Sequence, residues 1–413
     1  MPFLGKCIDH VKDNLTESLR LLRTKASKPA GKPASVLQRC DQFVGRTINW
    51  LYDHLRCVPR HTPFVLSDTI TNRQEFPLLE VRSCDSNRFA RRVWRRLTQD
   101  KPYPLDTRWI RRFRPGILHS HFGYVAVGDY RLHTSLSIPW LVSFYGADVY
   151  ELGRQADWRD EYARLFEQAN LFLALGPEMG ARLEALGCPK AKIVVHPLGV
   201  DIDALPSRQR LLRPGSPLRI LVAGTFREKK GIEYAVRGAA QARQLGVDLH
   251  LTLVGDVSGK RDDLATKEAV FREIDRLHMN DVVSHHPFVP FNQLIQIALA
   301  SHVFVAPSVT SHDGDAEGTP FVIQQMMATG MPVISTLHSD IPFIFGEHRH
   351  RLVRERDADA IAAQLACYAA EPEKLVVEGA ALRQRIRTAF DVRARAAELS
   401  DIYDGVLAGR PHS

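Results

Sequence analysis

Glu317 stands directly ahead of the turn Gly318-Thr319-Pro320, and a polar Gln325 follows in a stretch that is otherwise apolar (Phe321, Val322, Ile323, Met326, Met327). An acid beside a turn that opens a helix makes a site for an anionic ligand that also carries hydroxyl groups. Pro320 suits the first helical turn, where its missing N–H is no loss. The free N–H groups of that turn and the helix dipole favour a phosphate in front of them. Glu317 beside the same spot can accept hydrogen bonds from hydroxyls. Eight residues are just over two helical turns, so Glu317 and Gln325 can face one ligand. The plainer alternative is a buried helix behind an acidic loop, with Gln325 satisfied by backbone.

A second constellation is Gly224-Thr225-Phe226-Arg227-Glu228-Lys229-Lys230-Gly231, which leaves an apolar run and opens the next helical pattern at Ile232. It brings Arg227, Lys229 and Lys230 to the end of a strand. The glycine spacing is wrong for a P-loop, and no Ser or Thr follows the lysine. Alone, a lysine pair before a helix is as readily a solvated surface. His119 and His121 would share one face of a strand and have a metal-like spacing. No carboxylate or cysteine lies near them in sequence, so no metal is expected.

These groups need a scaffold, and the chain supplies a β/α alternation from about residue 34. Strands are expected at Val36-Leu37, 63–67, 116–119, 140–144, 171–175 and 193–196, with helices over 47–55, 161–168 and 178–186. The polar segment 205–217 reads as a boundary. A second series follows, with strands at 219–223, 250–255, 282–284, 303–306, 333–335 and 352–353, and helices over 232–245, 266–277, 293–300 and 321–329. One amphipathic helical pattern runs from Arg383 to Leu407. Apolar strands alternating with helices imply two mostly parallel sheets. Two doubly wound lobes would face each other across a cleft, with ligands at the carboxyl ends of the strands. The expected division is an extension over 1–34 (a helix at 8–24 and a linker), lobes at 35–210 and 211–384, and a C-terminal helix at 385–413 returning to the first lobe.

Composition narrows the class. A chain of 413 residues, 45% hydrophobic and 25% charged, suits a two-domain globular protein. No apolar run approaches the ~18 residues that span a bilayer. The N-terminal residues Lys6, Asp9, Lys12 and Asp13 do not read as a secretory signal. The six cysteines are scattered without CxxC pairs, which points to a reducing, cytoplasmic setting. The net charge of +8 is uneven: residues 1–120 hold 23 Lys/Arg against 11 Asp/Glu, about +12, leaving the rest near −4. Arg88, Arg91, Arg92, Arg95 and Arg96, then Arg108, Arg111, Arg112 and Arg114, are interleaved with Trp94, Trp109 and Phe113. Such stretches suit an anionic membrane surface. No nucleic-acid recognition motif accompanies the charge, and a merely solvated helix face is the alternative.

At these residues the chain resembles the retaining glycosyltransferases of family 4, the "group 1" enzymes with the GT-B fold. The second lobe carries the resemblance in GTFREKKGIEYA (224–235), FVAPSV (304–309), DGDAEGTPFVIQQMMATGMPVIST (313–336) and HSDIP (338–342). The first lobe adds HSHFG (119–123), FYGADVY (144–150) and HPLGVD (196–201). The match spans about residues 35–407 and looks most like exopolysaccharide and lipopolysaccharide assembly enzymes.

The resemblance implies a nucleotide-diphosphate sugar as co-substrate, no other cofactor and no metal. Lys230 matches the family's diphosphate-binding lysine and Glu317 its sugar-contacting carboxylate; these two are the catalytic candidates. Gly224, Thr225, Arg227, Gly318, Thr319, Pro320, Phe321 and Gln325 complete the expected donor site. Thr225 stands where an arginine is usual, with Arg227 the candidate substitute, and Gln325 replaces the second carboxylate. Tyr145 replaces a histidine common in the first-lobe loop, and Asp41-Gln-Phe-Val-Gly45 takes the place of the usual glycine-rich loop. His121, Gly123, Tyr145 and Asp148 are expected on the acceptor side. The implied activity is sugar transfer to a saccharide acceptor, lipid-linked, by a cytoplasmic protein resting on the inner face of the membrane. Two alternatives stay open: a catalytically silent GT-B partner in an assembly complex, motivated by the changes at 145, 225 and 325, and a transferase with a soluble small acceptor.

Overall fold

The computed structural model describes residues 34–44, 49–72, 80–85, 88–98, 102–259 and 263–410. The helix and linker expected over the first 32 residues lie outside them, as do Gly45 and the first two residues of the helix expected at 47–55. The first lobe is a seven-stranded parallel sheet: β1 (Ser35–Phe43), β2 (Thr62–Ile70), β3 (Glu80–Ser83), β4 (Pro115–His121), β5 (Trp140–Ser143), β6 (Leu171–Ala174) and β7 (Ile193–Val195), in the order β3-β2-β1-β4-β5-β6-β7. The second is a five-stranded parallel sheet: β8 (Leu218–Ala223), β9 (Leu249–Val254), β10 (Val283–His286), β11 (Val303–Ala306) and β12 (Val333–Ser335), in the order β10-β9-β8-β11-β12. Every residue of β5 and β6 is buried because helices cover both faces of the sheet. Both sheets reverse strand order beside their first strand, between β1 and β4 and between β8 and β11. Those switch points are where loops diverge and leave a crevice for ligands. This is the GT-B architecture.

Several elements differ from the expectations, each for a physical reason. β1 runs nine residues rather than two. Its polar middle, Gln38 to Gln42, reads as loop, but Gln38 and Arg39 find buried partners in Tyr403 and Asp129. The strand expected at Leu352-Val353 is a single bridge between Thr336 and Val353. The pattern from Arg383 to Leu407 is two helices, Glu373–Ala389 and Val392–Leu407. Asp391 breaks it, because its carboxylate accepts hydrogen bonds from the backbone of Arg393 (2.9 Å) and Ala394 (3.0 Å) and so caps a new helix.

That break lies where the chain passes between lobes. Val200 donates from its backbone to Phe390 O (2.7 Å), and Val392 donates back to Val200 O (3.1 Å). Gly199 permits the approach: a Cβ there would lie 2.4 Å from the Val392 Cα. The final helix then lies on the first lobe, where Leu399, Ile402 and Tyr403 pack with Val36, Ile117 and Leu141.

Candidate active site

A cavity of about 490 Å³ opens between the lobes at the β8/β11 switch point. Gly224, Thr225, Arg227, Lys229 and Lys230 reach it from the loop after β8; Glu317, Gly318, Thr319 and Pro320 reach it from the loop after β11. Phe321, Val322 and Gln325 come from the Phe321–Ala328 helix, and Trp50 and Tyr145 from the first lobe. All ten residues expected at the donor side therefore line one cavity. Gly231 makes the first loop possible. It holds φ +62°, and a Cβ would lie 1.9 Å from Pro307 O, so the β8 and β11 loops touch there.

The two loops are bound by charge. Lys230 Nζ donates to Glu317 Oε2 at 2.9 Å. Lys229, only 7% exposed, donates to Asp315 Oδ1 (3.1 Å) and Ala316 O (3.0 Å) and lies 3.8 Å from Glu317 Oε1. Burial alone would raise the Glu317 carboxyl. The two lysines outweigh it and hold the group down at about 2, so it stays ionised. Arg227 is spoken for: it donates to Asp315 Oδ2 (2.7 Å) and lies 3.5 Å from Glu151 and 3.9 Å from Asp263. It lines the cavity but is drawn towards carboxylates, which makes it a poor substitute for a cation at Thr225.

Sequence reasoning gave no role to His338 or Glu355, and named Lys229 only as one of the cations at the end of a strand. The Glu317 backbone N–H donates to His338 Nε2 (3.0 Å), so that nitrogen carries the lone pair and His338 Nδ1–H donates to Glu355 Oε1 (2.6 Å). Glu355 also accepts from the Thr310 backbone (2.9 Å). This chain fixes the backbone from which Glu317 projects. Two atoms are left over. Glu317 Oε1 and Thr319 Oγ1 are buried without a hydrogen-bond partner, and both residues line the cavity. Buried polar atoms without partners are rare, and here they mark places for ligand hydroxyls or phosphate oxygens.

Comparison with known proteins agrees with this geometry. The family description "Glycosyl transferases group 1" matches residues 217–370, and "Glycosyltransferase Family 4" matches residues 60–204. WcaL of Escherichia coli (strain K12), assigned by its name to colanic acid biosynthesis, is 30% identical over 294 residues, 70% of each chain. The amylovoran biosynthesis glycosyltransferase AmsK of Erwinia amylovora is 30% identical over 298 residues, 71% of this chain and 70% of that one. This chain belongs to the family 4 glycosyltransferases. Among solved structures, a glycosyltransferase of Rickettsia africae superposes with a TM-score of 0.72 at 17% identity, covering 91% of this chain and 99% of that one. Anabaena HepE in complex with UDP-glucose superposes with a TM-score of 0.69 at 14% identity, covering 90% and 99%.

In this glycosyltransferase the first-lobe wall departs from the acceptor-side expectation. Of His121, Gly123, Tyr145 and Asp148, Tyr145 alone reaches the cavity. Asp148 is fully buried, and its carboxylate accepts from the backbone of Gly123 (3.0 Å), Tyr145 (3.0 Å) and Gly146 (2.8 Å), so it shapes the loop. Gly123 sits where a Cβ would strike the Phe144 ring at 2.3 Å. His121 lies behind Tyr145: the phenol donates to His121 Nδ1 (2.6 Å), and His121 Nε2–H donates to Gln38 Oε1 (2.8 Å). The chain continues, with Gln38 donating to the Tyr403 hydroxyl (3.1 Å), Tyr403 to His119 Nδ1 (2.7 Å) and His119 to Ser143 Oγ (2.7 Å). This chain of side chains ties the cavity wall to the C-terminal helix. His119 and His121 are thus hydrogen-bonded side chains, and no cluster of metal-binding residues occurs among the described residues.

Two predictions follow from these charges. Burial lowers His54 and His121 to about 3 and His196 to about 4, and pushes His119 down as well. Their folded values lie below the unfolded one near 6.5. The stability they contribute is therefore complete above pH 6.5 and is lost as pH falls towards 4. Urea unfolding at pH 7, 6 and 5 is expected to show a steady decline, and a flat profile would contradict the neutral buried cluster. Lys229→Met leaves the buried Asp315 to Arg227 and takes the donor from Ala316 O, and is expected to cost roughly 1–3 kcal/mol of stability. Lys230→Met, at a side chain 23% exposed, is expected to cost much less. Equal losses by urea unfolding would refute this division between a structural and a ligand-facing lysine.

Proposed function

We propose that this glycosyltransferase transfers a hexose, with retention of configuration and without a metal ion, from a nucleotide-diphosphate sugar to a lipid-linked saccharide during exopolysaccharide assembly. The observation that carries the donor is the Lys230–Glu317 pair lining the cavity, with Glu317 Oε1 and Thr319 Oγ1 buried without hydrogen-bond partners. The names of WcaL and AmsK support polysaccharide assembly, and the UDP-glucose complex of HepE supports the donor class.

In this reading the diphosphate lies between Lys230, the backbone at Gly224 and Thr225, and the N-terminal turn of the Phe321–Ala328 helix. Glu317 grips sugar hydroxyls, and Gln325 faces the ribose. When the anomeric carbon–oxygen bond breaks, its electron pair passes to the β-phosphate oxygen. Lys230 and the helix tip stabilise that charge, which is where preorganised donors have most effect. The acceptor hydroxyl then bonds to the anomeric carbon on the same face, and its proton goes to the departing phosphate oxygen. No side-chain base is required. With Arg227 held by Asp315, Lys230 carries most of the work that a cation pair would otherwise share.

Trp50 and Tyr145 make the acceptor-side wall, their rings 4.5 Å apart, a surface suited to a sugar ring. No helix among the described residues is long and apolar enough to cross a membrane. The lipid-linked acceptor is met instead from the cytoplasmic side, by a protein held at an anionic surface through its basic first lobe. There Arg108, Arg111, Arg112 and Arg114 are exposed.

Lys230→Ala and Glu317→Ala are each expected to lower the transfer rate by roughly 10²–10³-fold. Nucleoside diphosphates should raise the melting temperature of the wild-type protein, and nuclear magnetic resonance of the product should show the donor's anomeric configuration. Full activity in both variants would defeat the assignment, and an inverted product would defeat retention.

A further inference from the structure

The helix Arg88–Thr98 is folded with its apolar side outward. Phe89 is 82% and Leu97 77% exposed, more than any other large apolar side chain among the described residues, and Val93 between them is 39% exposed. The three stand four residues apart. Each step advances about 40° around the helix, so they form one narrow stripe. Arg92 and Arg96 run alongside it, exposed and without an ion pair among the described residues. The helix contains no acidic residue.

Its inward side is polar and firmly held. Arg91 Nη2 donates to Asp106 Oδ1 at 2.6 Å, its other terminal nitrogen donates to Asp106 Oδ2, and its guanidinium lies 4.8 Å from the Tyr103 ring centroid. Asp106, 5% exposed, also accepts from Arg82 Nε (2.9 Å). Trp94 Nε1 donates to Pro102 O (3.2 Å). Turning the helix to hide Phe89 and Leu97 would pull Arg91 away from a buried carboxylate, so the outward apolar stripe is a built feature. Alongside the inward side lies a groove of about 1210 Å³, lined by charged residues such as Arg39, Asp68 and Arg91 and by apolar ones such as Trp94, Val125 and Leu132.

We propose that this outer face docks the protein on an anionic lipid bilayer: Phe89, Val93 and Leu97 enter the interface, while Arg92 and Arg96 meet lipid phosphates. The proposal rests on the reading above of a protein held at a membrane, and it names the element that holds it. The charge argues for an anionic surface. The shape argues for lipid over an acidic protein, since one convex helix with a stripe one residue wide offers little of the area a stable protein interface buries. A short basic helix with exposed Phe and Leu suits the headgroup boundary.

The test is flotation of the full chain with vesicles of equal parts phosphatidylglycerol and phosphatidylcholine, and with phosphatidylcholine alone. The wild-type protein is expected to float with the anionic vesicles at low salt and to stay behind with neutral ones. Phe89→Ser with Leu97→Ser should weaken flotation roughly tenfold or more while leaving the melting temperature unchanged, because both side chains are exposed. Arg92→Glu with Arg96→Glu should weaken it too and flatten its salt dependence. If the serine variant floats like the wild type, the helix is not the docking element, although the membrane reading stands. If the wild-type protein fails to float with anionic vesicles, both fall, and an acidic protein becomes the partner to seek for the stripe.

Discussion

An ammonium and a carboxylate 2.9 Å apart hold the two loops of the donor cleft against each other. Lys230 leaves the end of β8 and Glu317 leaves the loop after β11, so the pair bridges the switch point of the second sheet. Neither group is placed by chance. The Lys230 loop turns on Gly231, which fits against Pro307 O, and the Glu317 backbone hangs on the His338–Glu355 pair. Lys229 and Asp315 repeat the lysine–carboxylate contact one layer deeper, where both side chains are buried. The deeper pair secures the loops, which leaves the outer pair free to exchange partners with a ligand.

In the proposed mechanism, that exchange gives the site its chemistry. An ammonium balanced by a protein carboxylate is desolvated and oriented before any diphosphate arrives. Its reorganisation is then small when charge develops on the leaving group. The first lobe contributes geometry more than charge. Its buried histidines are neutral, and the hydrogen-bonded chain from Tyr145 through His121 and Gln38 to Tyr403 holds a phenol in position. Because Tyr403 belongs to the helix that returns from the second lobe, the Tyr145 wall is tied to that helix.

The donor side was legible in the sequence because its residues fall in two short contiguous segments whose local chemistry announces them: a glycine turn with lysines, and an acid ahead of a Pro-initiated helix. The acceptor side was not. His121 and Asp148 look reactive in a linear reading, yet tertiary packing turns His121 behind Tyr145 and spends the Asp148 carboxylate on three backbone N–H groups. The partners of Asp148 lie within 25 residues but meet it only in the folded loop, whereas His121 is held by Gln38, 83 residues away, which in turn bonds Tyr403, 365 residues from it. The same distance effect hid the full length of β1, whose polar residues read as loop until their buried partners are known. Arg227 could not be assigned from spacing, since only the fold brings Glu151, Asp263 and Asp315 around it. The break at Asp391 was readable in principle, because an aspartate two residues before Arg393 is an ordinary helix cap.

Calorimetric titration of the wild-type protein and of Glu317→Gln, with a nucleoside diphosphate and with its sugar, tests the partner exchange most directly. Removing the carboxylate's charge frees Lys230, so the bare diphosphate should bind the variant at least as tightly as the wild type. The extra affinity conferred by the sugar should vanish with the group that grips it. Equal weakening of both ligands would contradict an account in which Glu317 restrains the lysine and holds the hexose.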